Sequence, residues 1–342
     1  MSFKPLPVER NQEGKVRTVG FELEFANVGI GECLQIVQDL YGGRVEMENR
    51  FSAKVVDTRI GSFSVEIDLK LLTEKQYKTL FDKLNIDIQS VKIGQDTLEN
   101  MIDDALESVI QKVIPYEIGC PPLPYHQLEE LEALRQALFE HHAKGTEAFF
   151  TNAFGTHINT EIPDTEPATI LRYIRAFLLL YPWLLEAGET DFARRNLTSF
   201  INPFPDEYSQ LVLDPSYAPG LEQLIDDYHQ YNPDRNRPLD MYPLFAYVRE
   251  EQVNSYTNLG SVKARKTFHY RLPNSCVSDP DWTLAQEWNN WVVIEELAAN
   301  PDRIREMSLE FLNMKENTLL GFERKWCKQT EQWLTQTNRS TQ

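Results

Sequence analysis

The stretch Val19-Gly20-Phe21-Glu22-Leu23-Glu24-Phe25, residues 19–25, alternates apolar and acidic side chains with a period of two. That is the pattern of a half-buried β-strand, in which successive side chains point to opposite faces. Phe21, Leu23 and Phe25 then share one face, and Glu22 and Glu24 the other. At a rise of about 3.3 Å per residue, the two carboxylates stand roughly 7 Å apart along the strand. Like charges that close above a packed sheet repel unless a cation or a donor compensates them. A hard divalent cation is the usual partner of clustered carboxylate oxygens. The same alternation also describes an amphipathic edge strand whose glutamates point into water. What decides between the two is whether other strands add polar groups to that face.

Four further segments do. Residues 53–58 and 62–69 read as a hairpin around Gly61, with Phe63, Val65, Ile67 and Leu69 on one face of the return strand and Ser64, Glu66 and Asp68 on the other. Asp57 fits a turn beside Thr58 better than a site. Residues 115–123, PYEIGCPPL, form a short extended piece with Glu117 flanked by apolar residues. In 149–162, FFTNAFGTHINTEI, alternation resumes after Gly155 and sets His157, Asn159 and Glu161 opposite Ile158, Thr160 and Ile162. Glu161, near the strand end, reads as solvated. In 263–272, KARKTFHYRL, His269 and Arg271 alternate with Phe268, Tyr270 and Leu272.

Helical periodicity fills the intervals. It predicts helices near 34–40 (stopped by Gly42-Gly43), over 73–84 from a capping box at Thr73, over 97–113 ended by Pro115, and over 125–144. His141 and His142 fall in the last turn of the fourth, where the helix dipole favours a capping role over metal ligation. Residues 166–187 read as a core helix kinked at Pro182, interrupted by Arg172 and Arg175 and so unsuited to a membrane. Helices over 221–231 and 239–251 follow, then one carrying Trp288, Trp291, Val292 and Glu295, and another over about 303–333. Amphipathic helices covering the apolar face of a largely antiparallel sheet, with a concave polar face opposite, make an α+β architecture. We expect one catalytic domain over 1–342, with a sheet-and-helix core at 19–275 and a C-terminal helical segment at 282–335.

Bulk composition narrows the partners. A net charge of −18 across 342 residues and a pI near 4.8 argue against a nucleic-acid groove or an anionic membrane surface. Four scattered cysteines, without a C-x-x-C pair, match neither a zinc site nor a disulfide framework. With no apolar leader segment, a cytoplasmic address is expected. Neither the G-x-G-x-x-G fingerprint nor the G-x-x-x-x-G-K-[ST] loop occurs. Arg194 and Arg195, paired in an Asn/Pro-rich loop, suit either surface ion pairs or bidentate anion binding.

Taken together, the polar face would carry five carboxylates (Glu22, Glu24, Glu66, Asp68, Glu117), two imidazoles and a guanidinium. Such a set is stable with cations and an anionic ligand between the charges. Carboxylates clamping Mg²⁺ on a triphosphate form a phosphoryl-transfer constellation.

The order G-F-E-L-E-F, an Asp-bearing strand, Y-E-I-G-C-P-P-L, G-T-H-I-N and F-H-Y-R-L resembles the putative amidoligase family, relatives of the glutamate–cysteine ligase and glutamine synthetase carboxylate–amine ligases. The matching residues are Gly20, Glu22, Glu24, Asp68, Glu117, Gly155, His157, Asn159 and Arg271, spread over roughly 19–275. The resemblance implies a curved antiparallel sheet, and an ATP-dependent ligase using Mg²⁺ or Mn²⁺ that joins a small carboxylate substrate to an amine through an acyl phosphate. It implies that Glu22, Glu24, Asp68, Glu117 and His157 hold metal, and that Arg271 neutralises charge on the transferred phosphoryl group. Asn159, Lys263, Arg265 and Arg195 are further candidates for binding ATP or the carboxylate. His269 stands where the relatives usually carry Glu, so a metal ligand there would be imidazole, favouring Mn²⁺ or Zn²⁺ over Mg²⁺. Two other readings use the same sheet: a metal-dependent phosphotransferase on a small amino or guanidino compound, and a non-catalytic relative that binds a nucleotide or metabolite.

Overall fold

A computed structural model describes residues 1–49, 51–67, 116–146, 154–190 and 201–340. Nine strands form one sheet among the described residues: β1 (Thr18–Phe25), β2 (Arg44–Asn49), β3 (Ser52–Thr58), β4 (Gly61–Ile67), β5 (Tyr116–Gly119), β6 (Leu123–Pro124), β7 (Thr156–Thr160), β8 (Leu239–Asp240) and β9 (His269–Tyr270). Their order is β2-β3-β4-β5-β1-β7-β9-β8, with β6 pairing the start of β1, and every pairing is antiparallel. The stretch that opened the sequence analysis is therefore a central strand, flanked by β5 and β7. The fold is mixed α/β with a large antiparallel sheet.

Register fixes the faces. Leu23 sits opposite Ile118, which sits opposite Val65, and Phe21 opposite Ile158, which sits opposite Tyr270. These apolar rows are covered by helices. On the β3–β4 side lies α1 (Ile30–Tyr41), whose Tyr41 ring stacks on Phe63 at 4.9 Å. At its end Gly42 and Gly43 take φ of 73° and 93°, and a Cβ on Gly43 would lie 2.5 Å from the Val56 carbonyl oxygen. Only glycine turns the chain into β2 there. After a 3₁₀ turn at Tyr125–Leu131 comes α2 (Glu132–Glu140). The long α3 (Pro167–Ala187) runs through Pro182 and is mostly buried, the core helix its composition predicts. Beyond it are α4 (Asp206–Leu213), α5 (Leu221–Tyr231), α6 (Tyr242–Val248), α7 (Glu250–Asn254), α8 (Leu284–Ala298), α9 (Pro301–Glu316) and α10 (Phe322–Ser340). Trp291 of α8 packs on Tyr270 and Phe268, and Tyr173 of α3 stacks on Phe268.

Arg17, at the entry to β1, is buried with its guanidinium bidentate on Glu295 of α8, at 2.9 and 2.7 Å. Its remaining donors go to the carbonyls of Glu161 and Val8, while Glu295 also accepts from Trp291 Nε1 and the Tyr173 hydroxyl. This buried pair ties the central strand to the helical layer.

Several element boundaries differ from the sequence pattern. Strand β2, at the end of the sheet, is not expected from the sequence and is exposed along most of its length. Within the described part of the predicted strand at 149–162 the ladder runs over 156–160, with single bridges at Gly155 and Glu161, while 149–153 lie outside the described residues. The strand predicted at 263–272 is a two-residue ladder at 269–270 preceded by the bridge of Glu161 to Thr267. The predicted helix 239–251 is instead β8 followed by two short helices, broken where Arg249 takes an extended φ of −149°. The predicted helix 303–333 is two helices, because the segment 317–321 ends on Gly321 at φ 71°. The helices predicted over 73–84 and 97–113 lie outside the described residues.

Candidate active site

The face opposite the helices gathers the ionisable side chains. Glu24 pairs across the ladder with Glu117, and Glu117 with Glu66, so three carboxylates line up over three adjacent strands. On the other side of β1, Glu22 sits opposite His157, Gly20 opposite Asn159, and beyond them Asp240 opposite His269. Glu22, Glu24, His157, Asn159 and His269 are all buried, Glu117 is half-buried and Glu66 is exposed. A polar surface strand would leave its glutamates in water. Here Glu24 is only 2% exposed, which removes the edge-strand alternative for β1.

His157 lies between the two glutamates. Its Nδ1 is 3.0 Å from Glu22 Oε2 and its Nε2 is 3.3 Å from Glu24 Oε1. A neutral imidazole has one N–H, so it donates to one carboxylate while its lone pair meets the other. A shared cation makes both contacts favourable. Glu24 also accepts the backbone N–H of Gly155 at 2.6 Å. Glu22 accepts from Asn159 Nδ2 at 3.2 Å and from Arg265 Nη1 at 2.6 Å. Burial opposes charge on Glu22. The hydrogen bond with His157 and the electrostatic pull of His269, His157 and Arg265 override it and hold the carboxyl well below the usual range.

His269 is the opposite case. Burial pushes its pKa well below the ordinary value, with His157, Arg271 and Arg265 adding to the shift against the pull of Glu22. Its Nε2 is 3.7 Å from Glu22 and its Nδ1 3.9 Å from Asp240, and neither nitrogen makes a hydrogen bond among the described residues. Asn159 Oδ1 is likewise without a hydrogen-bond partner. Buried polar atoms of this kind are rare and call for a partner.

Two overlapping triads have the spacing of ion ligands. Glu22, His157 and His269 bring one donor atom each to within 4.8 Å of one another, and so do Glu24, Glu117 and His157. Their donors suit a divalent cation. The two-imidazole triad leans toward Mn²⁺ or Zn²⁺, and the two-carboxylate triad toward harder ions. Because His157 belongs to both, it cannot ligate in both while it keeps a ring proton.

Of the residues singled out in the sequence, the structure thus brings Glu22, Glu24, Glu117, His157, Asn159 and His269 together. Arg271 lies half-buried beside them, its Nη1 donating to the Arg235 carbonyl at 2.8 Å. Lys263 is exposed. Asp68, Arg194 and Arg195 lie outside the described residues. Asp57 takes φ 59° and pairs with Arg44, a turn role, and His141 caps α2 while meeting Glu32 at 2.6 Å. Glu161 is not solvated as expected: it accepts from Asn11, from the backbone of Thr18, and pairs with Lys266 at 3.5 Å.

Asp240 was missed. It is fully buried, accepts from Arg235 Nε at 3.2 Å and the backbone N–H of Tyr242, and burial raises its pKa despite Arg235 and Arg271 nearby. In sequence it looked like the start of a helix, and its only signal was its place between Leu239 and Met241.

The His269 environment sets a pH dependence. An imidazole whose pKa is lower folded than unfolded makes the unfolded chain take up the proton first as pH falls, so stability drops from about pH 6.5 downward. The depressed Glu22 acts in the same direction only below about pH 4.3. We expect His269→Asn to shrink the loss of stability between roughly pH 6.5 and 5, read from urea midpoints across pH. His229, also lowered by burial, keeps part of that limb. A limb unchanged in the variant would contradict a neutral, buried His269.

The fold and site together define a mixed α/β protein with a buried acid–imidazole centre on the polar face of an antiparallel sheet. Residues 15–293 match the sequence model of the family described as putative amidoligase enzyme, and the chain belongs to that family. Its coarse class is therefore that of a ligase. No curated protein and no solved structure matches the chain.

Proposed function

We propose that the protein is an ATP-dependent carboxylate–amine ligase that forms an amide or peptide bond through an acyl phosphate. The observation that carries this is the convergence of Glu22, Glu24, Glu117, His157 and His269, from four strands and with unsatisfied imidazole nitrogens, on one buried face. Family membership supplies the ligase class.

In this reading Glu24, Glu117 and His157, or Glu22, His157 and His269, would hold Mg²⁺ or Mn²⁺. An ion held by these residues would supply positive charge to offset that of the ATP phosphates. A substrate carboxylate oxygen attacks the γ-phosphorus, and the bond to ADP breaks. The amine nitrogen then attacks the acyl carbon, phosphate leaves, and the amine gives up a proton. Arg271 stands beside His269, where its guanidinium would stabilise charge on the transferred phosphoryl group. Arg265 now neutralises Glu22; once a metal takes over that task, it would face phosphate or carboxylate. Asn159 Oδ1 and the exposed Lys263 would complete the contacts to ATP or the acid. The acidic surface matches small-molecule substrates better than nucleic acid or membrane, and a cytoplasmic location accords with the four free cysteines.

Hydroxylamine tests the reaction without knowledge of the natural amine. With ATP, Mg²⁺ or Mn²⁺ and a panel of carboxylic acids, we expect hydroxamate and ADP in about equal amounts, since each acyl phosphate trapped consumes one ATP. ADP with a stable phosphorylated amine or guanidine would point to the phosphotransferase instead. Absence of ADP with every acid would support the binding relative.

A further inference from the structure

A second cavity, of about 820 Å³, opens on the helical side of the sheet between α3, α8, α9 and α10. No residue of the acid–imidazole centre lines it. Its volume is in the range of sites for small organic ligands. Indoles of Trp183, Trp282 and Trp333 contribute to its wall, with Leu180, Val293 and Leu297. Among the described residues the charged lining is five carboxylates (Glu189, Asp279, Asp281, Glu287, Glu296) against Lys4, Arg303 and the backbone ammonium of Met1.

We propose that this cavity binds a small organic ammonium compound with an aromatic or aliphatic body. The carboxylate excess favours a cation and repels an anion. The indole faces attract an ammonium group and pack its apolar body. Arg303 already lies over the Trp333 ring at 5.4 Å, which leaves Trp183 and Trp282 to receive the ligand. Trp282 is mostly buried and its Nε1 donates to Glu287 at 3.0 Å, so its ring is fixed in advance. A bare metal ion fits less well. Among the described residues, none of the five carboxylates joins a set of three metal-type ligands close enough to share an ion.

The cavity does not depend on the ligase reading, although its wall comes near that site. Asn274 lines the cavity and bridges to Gly155, whose N–H is held by Glu24.

Saturation-transfer NMR on the full chain, with phenethylammonium and its anionic isostere 3-phenylpropionate, tests the site. The expected result is saturable binding of the ammonium and at least about tenfold weaker binding of the carboxylate. Binding should weaken at least about fivefold in Asp281→Lys/Glu296→Lys, whose positions are exposed and so leave the fold intact. Trp183→Ala should also weaken it, and Glu22→Gln should leave it unchanged. No saturable binding of the ammonium, equal binding of the two isosteres, indifference to the rim charge reversal, or loss of binding in Glu22→Gln would each overturn the proposal. The last outcome would place the ammonium in the acid–imidazole centre.

Discussion

Glu24→Gln is expected to lower the rate of ATP-dependent hydroxamate formation by about 10²–10³-fold, the loss of roughly 3–4 kcal/mol of transition-state stabilisation. The substitution removes the charge and one hard oxygen donor but keeps a carbonyl oxygen. That oxygen can still accept the Gly155 N–H, which Glu24 now holds at 2.6 Å, so the fold should survive. Glu22→Gln is expected to act similarly, since it uncouples Arg265 and His157 from the site together. Urea midpoints close to wild type would show that the loss is chemical rather than structural. Full turnover in both variants, at saturating metal and ATP, would rule out the carboxylates as metal ligands.

The largest effect on stability should come from the buried acid of the helical layer, Glu295. Glu295→Ala leaves the Arg17 guanidinium fully buried without its counter-charge, and also strips a partner from Tyr173 and Trp291. Breaking a buried pair by removing one member costs about 3–5 kcal/mol, because the remaining charge has neither water nor partner. Glu295→Gln, which retains hydrogen-bond acceptance, should cost less. The double variant Arg17→Met/Glu295→Leu should recover much of the loss, since an apolar pair needs no desolvation of charge. Equilibrium urea unfolding reads all three. A double variant no more stable than Glu295→Ala would mean that Arg17 contributes chiefly through its bonds to the carbonyls of Val8 and Glu161.

These two glutamates also mark how far the sequence reaches. The alternation of residues 19–25 placed Glu22 and Glu24 on one face of a strand, and the structure puts them there, at the centre of the sheet. The spacing of His157 and Asn159, and of His269 and Arg271, carried the same information, because period-two alternation fixes which side chains share a face whatever the strand pairs with. Glu295 offered no such signal. It reads as one more residue of a tryptophan-rich helix, and only its meeting with Arg17, 278 positions away, makes it a buried ion pair.

The sequence by itself determined the strand faces, the apolar character of the helical layer, and the identity of most ionisable groups on the polar face. It also carried the motif order that marks the family. Only the tertiary structure decided which of those groups touch. That β5 and β7 both lie against β1, that His157 falls between two glutamates, and that Asp240 and Arg265 join the same cluster are facts of strand order and register. Side-chain period is a local property of the backbone, whereas pairing between strands about ninety or more residues apart in sequence is set by the packing of the whole chain. The acidic strand called for a cation or a donor to offset its charge, and the fold supplies Arg265 as the one and Asn159 as the other.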